Sequence, residues 1–91
     1  MSQVQQESID SYHAFDPEEL GREQRRILMV IKRNGPITDR EIAIKAQLPR
    51  HSICGRRNEL VELGLVRRAG TKYDAETLRN VITWEATRRV N

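Results

Sequence analysis

Residues that build disulfides, metal sites and aromatic stacking surfaces are scarce in this 91-residue sequence. It contains one cysteine, Cys54, and two histidines, which excludes an intrachain disulfide and the usual four-ligand zinc site. Only four residues are aromatic, and they are not arranged as the stacking platform that makes single-stranded RNA a favoured partner. The lone cysteine also favours a reducing compartment, so we expect a cytoplasmic protein.

Long apolar runs and catalytic groupings are missing as well. No segment approaches the roughly 18 apolar residues of a transmembrane helix, and the polar N-terminus lacks the pattern of a signal peptide. No nucleophile is paired with a base, and no glycine-rich loop is suited to cradling a phosphate. We therefore predict a single domain with no membrane partner, no enzymatic activity, no cofactor, no metal and no small-molecule substrate.

Basic residues are absent from the first part of the chain and abundant in the rest. Residues 1–21 contain five acidic residues and no lysine or arginine. Residues 22–91 contain all 16 basic residues and the other eight acidic ones, a net charge of +8. This asymmetry favours a polyanionic partner, although a basic surface that is merely solvated would have the same composition.

A first helix is predicted from residue 16 to residue 34. Asp16 and Pro17 are typical of a helix start, and Phe15 is spaced to pack onto the helix across that start. Apolar residues then recur at helical spacing, and Gly21 marks a point where the helix is weak or kinked. Gly35, followed by a proline, ends the helix.

Two shorter helices follow. Thr38 and Glu41 form a capping-box pattern, which predicts a helix over residues 39–46. A third helix is predicted over residues 50–63 and is ended by Gly64. Its apolar positions, Ile53 and Leu60, lie seven residues apart and therefore share its buried side.

A β-hairpin completes the predicted fold. Three segments have strand character: Ile37, residues 65–69 and residues 80–85. The polar segment 70–79 is predicted to be the loop that joins the last two strands. Ile82 and Trp84 share one face of their strand, and we assign both to the core, with Trp84 closing the hairpin over the first helix.

Three helices followed by a hairpin is the element order of the winged helix-turn-helix family, which belongs to the α+β class. Three segments resemble that family in their residues too: GPITDREIA at 35–43, LPRHSI at 48–53 and NELVELGLV at 58–66. They are similar, in turn, to the start of the family's second helix, to the turn into its recognition helix, and to the end of that helix with the first wing strand.

The segment GRRNEL at residues 55–60 most resembles small winged-helix proteins of bacteriophages and their bacterial hosts. The resemblance covers residues 16–86. It leaves residues 1–15 as an acidic N-terminal tail and residues 87–91 as a C-terminal tail.

The resemblance implies binding of double-stranded DNA, with the third helix in the major groove and the hairpin as a wing on the backbone. The residues expected to read base edges lie in the first half of the third helix: Arg50, His51, Ser52, Cys54, Gly55 and Arg56. The residues expected to bind phosphates lie around it: Thr38, Arg40, Arg57, Arg67, Arg68, Lys72, Tyr73 and Arg79.

Several of these residues have a plainer interpretation. Gly55 either admits a phosphate or base edge or simply permits close packing. Arg57 stands where the family usually has an apolar residue, so it either clamps a phosphate or is held by an acid while its stem covers the core. Cys54 is either a redox switch or a small side chain, and each basic wing residue is either a phosphate contact or solvated.

The function that we expect is that of a sequence-specific transcription regulator of a phage or bacterium, with a homodimer left open. One alternative is a DNA-binding accessory factor in phage replication, excision or packaging. Another is a protein-interaction module that inhibits or redirects a host protein, which the acidic N-terminal tail favours slightly. RNA is a weaker third partner.

Overall fold

The computed structural model describes residues 19–88, and their helices and strands follow the winged-helix order. The helices are α1 (Arg22–Asn34), α2 (Asp39–Ala46) and α3 (Arg50–Glu62). The strands are β1 (Ile37–Thr38), β2 (Val66–Asp74) and β3 (Arg79–Ala86), which form one antiparallel sheet in the order β1-β3-β2. The predicted α+β winged helix-turn-helix fold is therefore confirmed.

The helix that ends at Asn34 begins at Arg22, because the predicted helix is interrupted at Gly21. Gly21 is its N-cap in an extended conformation, and the side-chain oxygen of Gln24 accepts a 2.8 Å hydrogen bond from the Gly21 N–H. Glycine costs about 1 kcal/mol in a helix interior but is tolerated at the cap, so the start shifts to Arg22. Asp16, Pro17 and the Phe15 contact lie outside the described residues. Gly35 ends the helix as predicted, with φ 70°.

The start of α2 is set by the capping box that the sequence predicted. The Thr38 hydroxyl accepts the Glu41 N–H at 3.2 Å, and the Glu41 carboxylate accepts the Thr38 N–H at 3.0 Å. Each of these bonds satisfies an amide that has no partner within the helix. Thr38 also lies on β1, so the same residue fixes both a strand end and a helix start.

The end of α3 is a Schellman turn. Gly64 has φ 80°, its N–H bonds to the Val61 carbonyl at 3.0 Å, and the Leu65 N–H bonds to the Leu60 carbonyl at 3.0 Å. This turn brings Leu65 back under the helix. Leu65 joins the core, whose fully buried side chains come from all three helices and the start of β2: Ile27, Leu28, Ile31, Ile42, Ile53, Leu60, Leu65 and Val66.

The hairpin strands are longer than predicted, so much of the expected loop is strand. The turn itself comprises residues 75–78, because the Asp74 carboxylate accepts bonds from the Glu76 N–H at 3.0 Å and the Thr77 hydroxyl at 3.1 Å. Lys72 and Tyr73 consequently lie in the ladder, paired with Val81 and Asn80. This long, paired hairpin is the wing.

Two residues of β3 are less buried than predicted. Ile82 is 38% exposed and so is not a core residue, because it lies in the outer part of the hairpin. Trp84 does pack on the core cluster but remains only partly buried. Its ring faces the side chain of Arg57 on α3.

Two glycine substitutions of the same kind have opposite expected effects on stability. Gly64→Ala forces an alanine into a left-handed conformation, and we expect it to lower the free energy of unfolding by about 1 kcal/mol. Gly55→Ala adds a methyl group that meets no heavy atom within 4 Å, so we expect better helix propensity to raise stability by up to about 1 kcal/mol. Urea denaturation followed by circular dichroism measures both, and effects of the same sign would contradict this account.

Candidate nucleic-acid interface

The outer face of α3 is open along its first two turns. Arg50, His51, Cys54 and Gly55 are exposed, while Ile53 on the opposite side is fully buried. Ser52 is half-buried. The packing alternative for Gly55 is wrong, because a Cβ placed there would meet open space. A major groove is about 12 Å wide and admits one helix, so this face is accessible to base edges.

The side chain of Arg57 is buried between three elements. Its Nε and Nη2 donate to the two Asp39 carboxylate oxygens at 2.9 and 2.7 Å, and its guanidinium lies 3.9 Å from the centre of the Trp84 ring. Burial opposes its charge, but the bonds and charge of Asp39 outweigh burial and raise the pKa of Arg57. Nη1 donates to Asn58, so all three guanidinium nitrogens are engaged, and the side chain is 8% exposed. The acid-paired interpretation of Arg57 is therefore favoured over the phosphate clamp.

Arg56 points toward α1 rather than straight out of α3. Its guanidinium forms ion pairs with Glu59 at 3.2 Å and Glu23 at 3.5 Å. The hydrogen bond to Glu59, and then that to Glu23, raises the pKa of Arg56. Glu59 also accepts a 2.6 Å bond from Gln24, and this bond, followed by that of Arg56, lowers the pKa of Glu59. Arg56 therefore stands at the edge of the open face and is already paired.

A cleft of about 390 Å³ separates the start of α3 from the wing. Arg50 contributes one wall and Arg79 the other, and Trp84 lies in its lining. Neither arginine forms an ion pair within the described residues, although Arg50 lies near enough to Asp74 to help lower the pKa of that carboxyl. The larger causes of that lowering are the Glu76 amide and the Thr77 hydroxyl.

Ion pairs tie the wing to the first turn of α2. Arg40 contacts Asp74 at 3.3 Å and also contacts Glu76, while Lys72 contacts Glu41 at 2.6 Å. The bond from Lys72, and then the Thr38 amide, lowers the pKa of Glu41. Arg40 and Lys72, both expected to bind phosphate, are thus held by carboxylates from another element.

The remaining residues expected to bind phosphates are ion-paired, exposed or buried. Arg67 pairs with Glu85 at 2.7 Å, and Arg68 and Tyr73 are exposed on β2. Thr38 is buried, and its hydroxyl is engaged by α2, so its position serves the helix start rather than an exposed contact. Cys54 is a free, exposed thiol that accepts a 3.6 Å contact from Arg57.

The acidic partners were the main omission of the sequence reasoning. Asp39, Glu41, Asp74 and Glu76 each neutralise a cation that had been expected to face DNA. The wing pairs join residues 31 to 36 positions apart, a separation at which no local pattern reveals a partner. The one available signal was the acidic wing tip itself. Asn80, which lines the cleft, was also missed.

Other kinds of site find no support in the described part of the chain. Residues 19–88 contain no cluster of three potential metal ligands. None of the helices among them combines the length and the apolar character needed to cross a membrane.

Three helices, of which the third has an exposed outer face, followed by a β-hairpin define a winged helix-turn-helix protein. A model of the MarR family matches residues 19–75, which is more than half of the sequence. The chain therefore belongs to the MarR family. None of the curated proteins compared with this chain matches it.

Solved structures of MarR-family proteins share this fold. The MarR family transcription regulator SP03579 has a TM-score of 0.65 and 21% identity, over 77% of this chain and 44% of its own. The structure of MarR has a TM-score of 0.62 and 24% identity, over 97% and 65%. The complex of S. aureus MepR with DNA has a TM-score of 0.57 and 18% identity, over 96% and 67%.

This chain therefore spans less than two thirds of the length of SP03579 and of MarR. Membership of a family of transcription regulators confirms the prediction that the chain is not an enzyme. The expected closeness to bacteriophage proteins is not tested by these matches and stays a prediction.

The buried arginine generates a stability prediction. Arg57→Ala leaves Asp39 without its partner and uncovers the Trp84 ring, and we expect a loss of about 2 kcal/mol, limited because Asp39 is 35% exposed. Arg67→Ala breaks a pair whose arginine is 68% exposed, and we expect no measurable loss. Urea midpoints of both variants test this, and equal midpoints would contradict a structural role for Arg57.

Proposed function

We propose that this chain binds double-stranded DNA as a transcription regulator, with α3 in the major groove and the wing on the adjacent backbone. The observation that carries the proposal is the open face at the start of α3, flanked by the cleft in which Arg50 and Arg79 form no ion pair with another described residue. A helix supported from behind by two others, with its N-terminal half exposed, has the geometry of a recognition helix.

The family supports the same proposal. MepR, a similar structure, was solved as a complex with DNA. The net charge of +8 over residues 22–91 also fits a polyanionic partner. The identity to the solved proteins is low, so the roles of individual side chains are argued from this chain alone.

The proposed roles follow the geometry. Base edges are read from the open face by Arg50, His51, Ser52, Cys54 and Gly55, with Arg56 joining when it leaves its carboxylates. Phosphates are bound along the wing and α2 by Arg40, Arg67, Arg68, Lys72, Tyr73 and Arg79. Phosphate contacts position the protein, and base contacts supply the sequence preference that we propose for it.

The proposal also includes a cellular location and an oligomeric state. A cytoplasmic location follows from a DNA-binding role. We also propose that the chain binds a palindromic site as a homodimer. Selection from a random duplex library tests this, because two identical subunits select two identical half-sites. No contact among the described residues favours docking on a host protein.

A salt titration tests the proposal directly. With four to six phosphates neutralised, the logarithm of the association constant for a random duplex falls against the logarithm of salt concentration with a slope of about −4 to −5. Fluorescence anisotropy with a labelled duplex measures the slope. A flat response would remove DNA as the partner.

Two arginine variants separate base reading from general charge. Arg50→Ala removes a donor from the open face, and we expect about a tenfold loss of affinity for a selected site, with relaxed base preference. Arg33→Ala removes the same charge from a separate groove between α1 and α2, and we expect about a twofold loss or less, equal for all sequences. Equal losses in the two variants would contradict the assigned recognition face.

A further inference from the structure

The Glu76 carboxylate does not take part in the hydrogen bonds that shape the turn in which it lies. Asp74 accepts the bonds that shape residues 75–78, and the Leu78 N–H bonds to the Asp74 carbonyl at 2.8 Å. Glu76 contributes only its backbone amide to this arrangement. Its side chain is 64% exposed, and within the described residues it contacts a single cation, Arg40.

Arg40 is engaged by carboxylates at both of its terminal nitrogens. Nη1 contacts Asp74 at 3.3 Å and Nη2 contacts Glu76. An arginine that binds a phosphate uses these same nitrogens, because two N–H groups match two oxygens. The Arg40 side chain remains 32% exposed, so a phosphate from outside can approach it.

The charges in this cluster disfavour an approaching phosphate. Arg40 carries +1 while Asp74 and Glu76 each carry −1, so the three side chains together carry −1. The neighbouring pair of Lys72 and Glu41 adds no net charge. Neutralising Glu76 alone would bring the cluster to zero and leave Nη2 without an acidic partner.

We propose that the Glu76 carboxylate competes with a DNA phosphate for Arg40 and thereby limits the affinity of the chain for DNA. This inference rests on the proposed function. DNA binding then exchanges the Glu76 carboxylate for a phosphate oxygen at Arg40. The exchange lowers affinity for all duplexes alike, because the phosphate carries no sequence information.

Glu76→Gln tests the competition against a matched charge control. Glu19→Gln makes the same chemical change and the same change in net charge, at a residue before α1 that pairs with no cation of the described structure. We expect Glu76→Gln to bind a random duplex about three- to tenfold more tightly at low salt, with the salt slope unchanged because Arg40 meets a phosphate in both complexes. We expect Glu19→Gln to change affinity by about twofold or less.

A second pair of variants ties the effect to Arg40. In an Arg40→Gln background, the gain from Glu76→Gln should shrink to the size of the Glu19→Gln effect, since the contested cation is gone. Thermal melting of Glu76→Gln should match that of the wild type, because the turn is held by Asp74.

The outcomes separate the inference from the proposed function. Binding by wild type and Glu76→Gln with equal affinity overturns the inference and leaves DNA binding in place. Equal gains from Glu76→Gln and Glu19→Gln also overturn it, because net charge then explains the effect. If no variant binds duplex at any salt concentration, the proposed function fails and the inference fails with it.

Discussion

The position of α3, the proposed recognition helix, depends on one buried guanidinium. Arg57 lies in the inward stripe of α3, four residues after Ile53, where an apolar side chain would ordinarily fill the core. Its charge is compensated by Asp39 at the start of α2 and by the face of Trp84 on β3. A buried pair of this kind is costly to break because one charge is left uncompensated. The three elements that we propose to approach DNA are therefore held in one mutual arrangement.

Features determined within a few residues were predictable from sequence, and features determined across the fold were not. The capping box of Thr38 and Glu41 and the Gly64 turn need only neighbours three to five positions away, and both were confirmed. The hairpin strands were predicted too short, because their length depends on Asp74 closing a tight turn. The first two turns of α3 are exposed as expected, and their role in reading bases stays a prediction, whereas the acids that hold the surrounding cations were not predicted.

Burial sorts the arginines of this surface into two kinds. The side chain of Arg57 is 8% exposed and that of Asp39 is 35% exposed, so solvent screens their pair only in part and Arg57 packs with the core. Arg56 is 47% exposed, and its pairs with Glu23 and Glu59 are open to water and salt. A phosphate can replace carboxylates around a cation of the second kind without disturbing the fold. The basic composition alone does not distinguish the two kinds.

This distinction explains why a net charge of +8 overstates the field that a duplex meets. A phosphate near the wing would encounter cations together with the carboxylates that hold them. A base edge near the start of α3 would encounter Arg50, which forms no ion pair within residues 19–88 although its charge acts on Asp74. Attraction that is sequence-independent is therefore reduced at the wing, and attraction at the groove-facing helix is retained. Because the genome offers a large excess of non-specific sites, a surface arranged in this way leaves less of the protein bound away from its target. The paired wing and the open helix face are thus two parts of one electrostatic arrangement, which is held in place by the buried arginine between them.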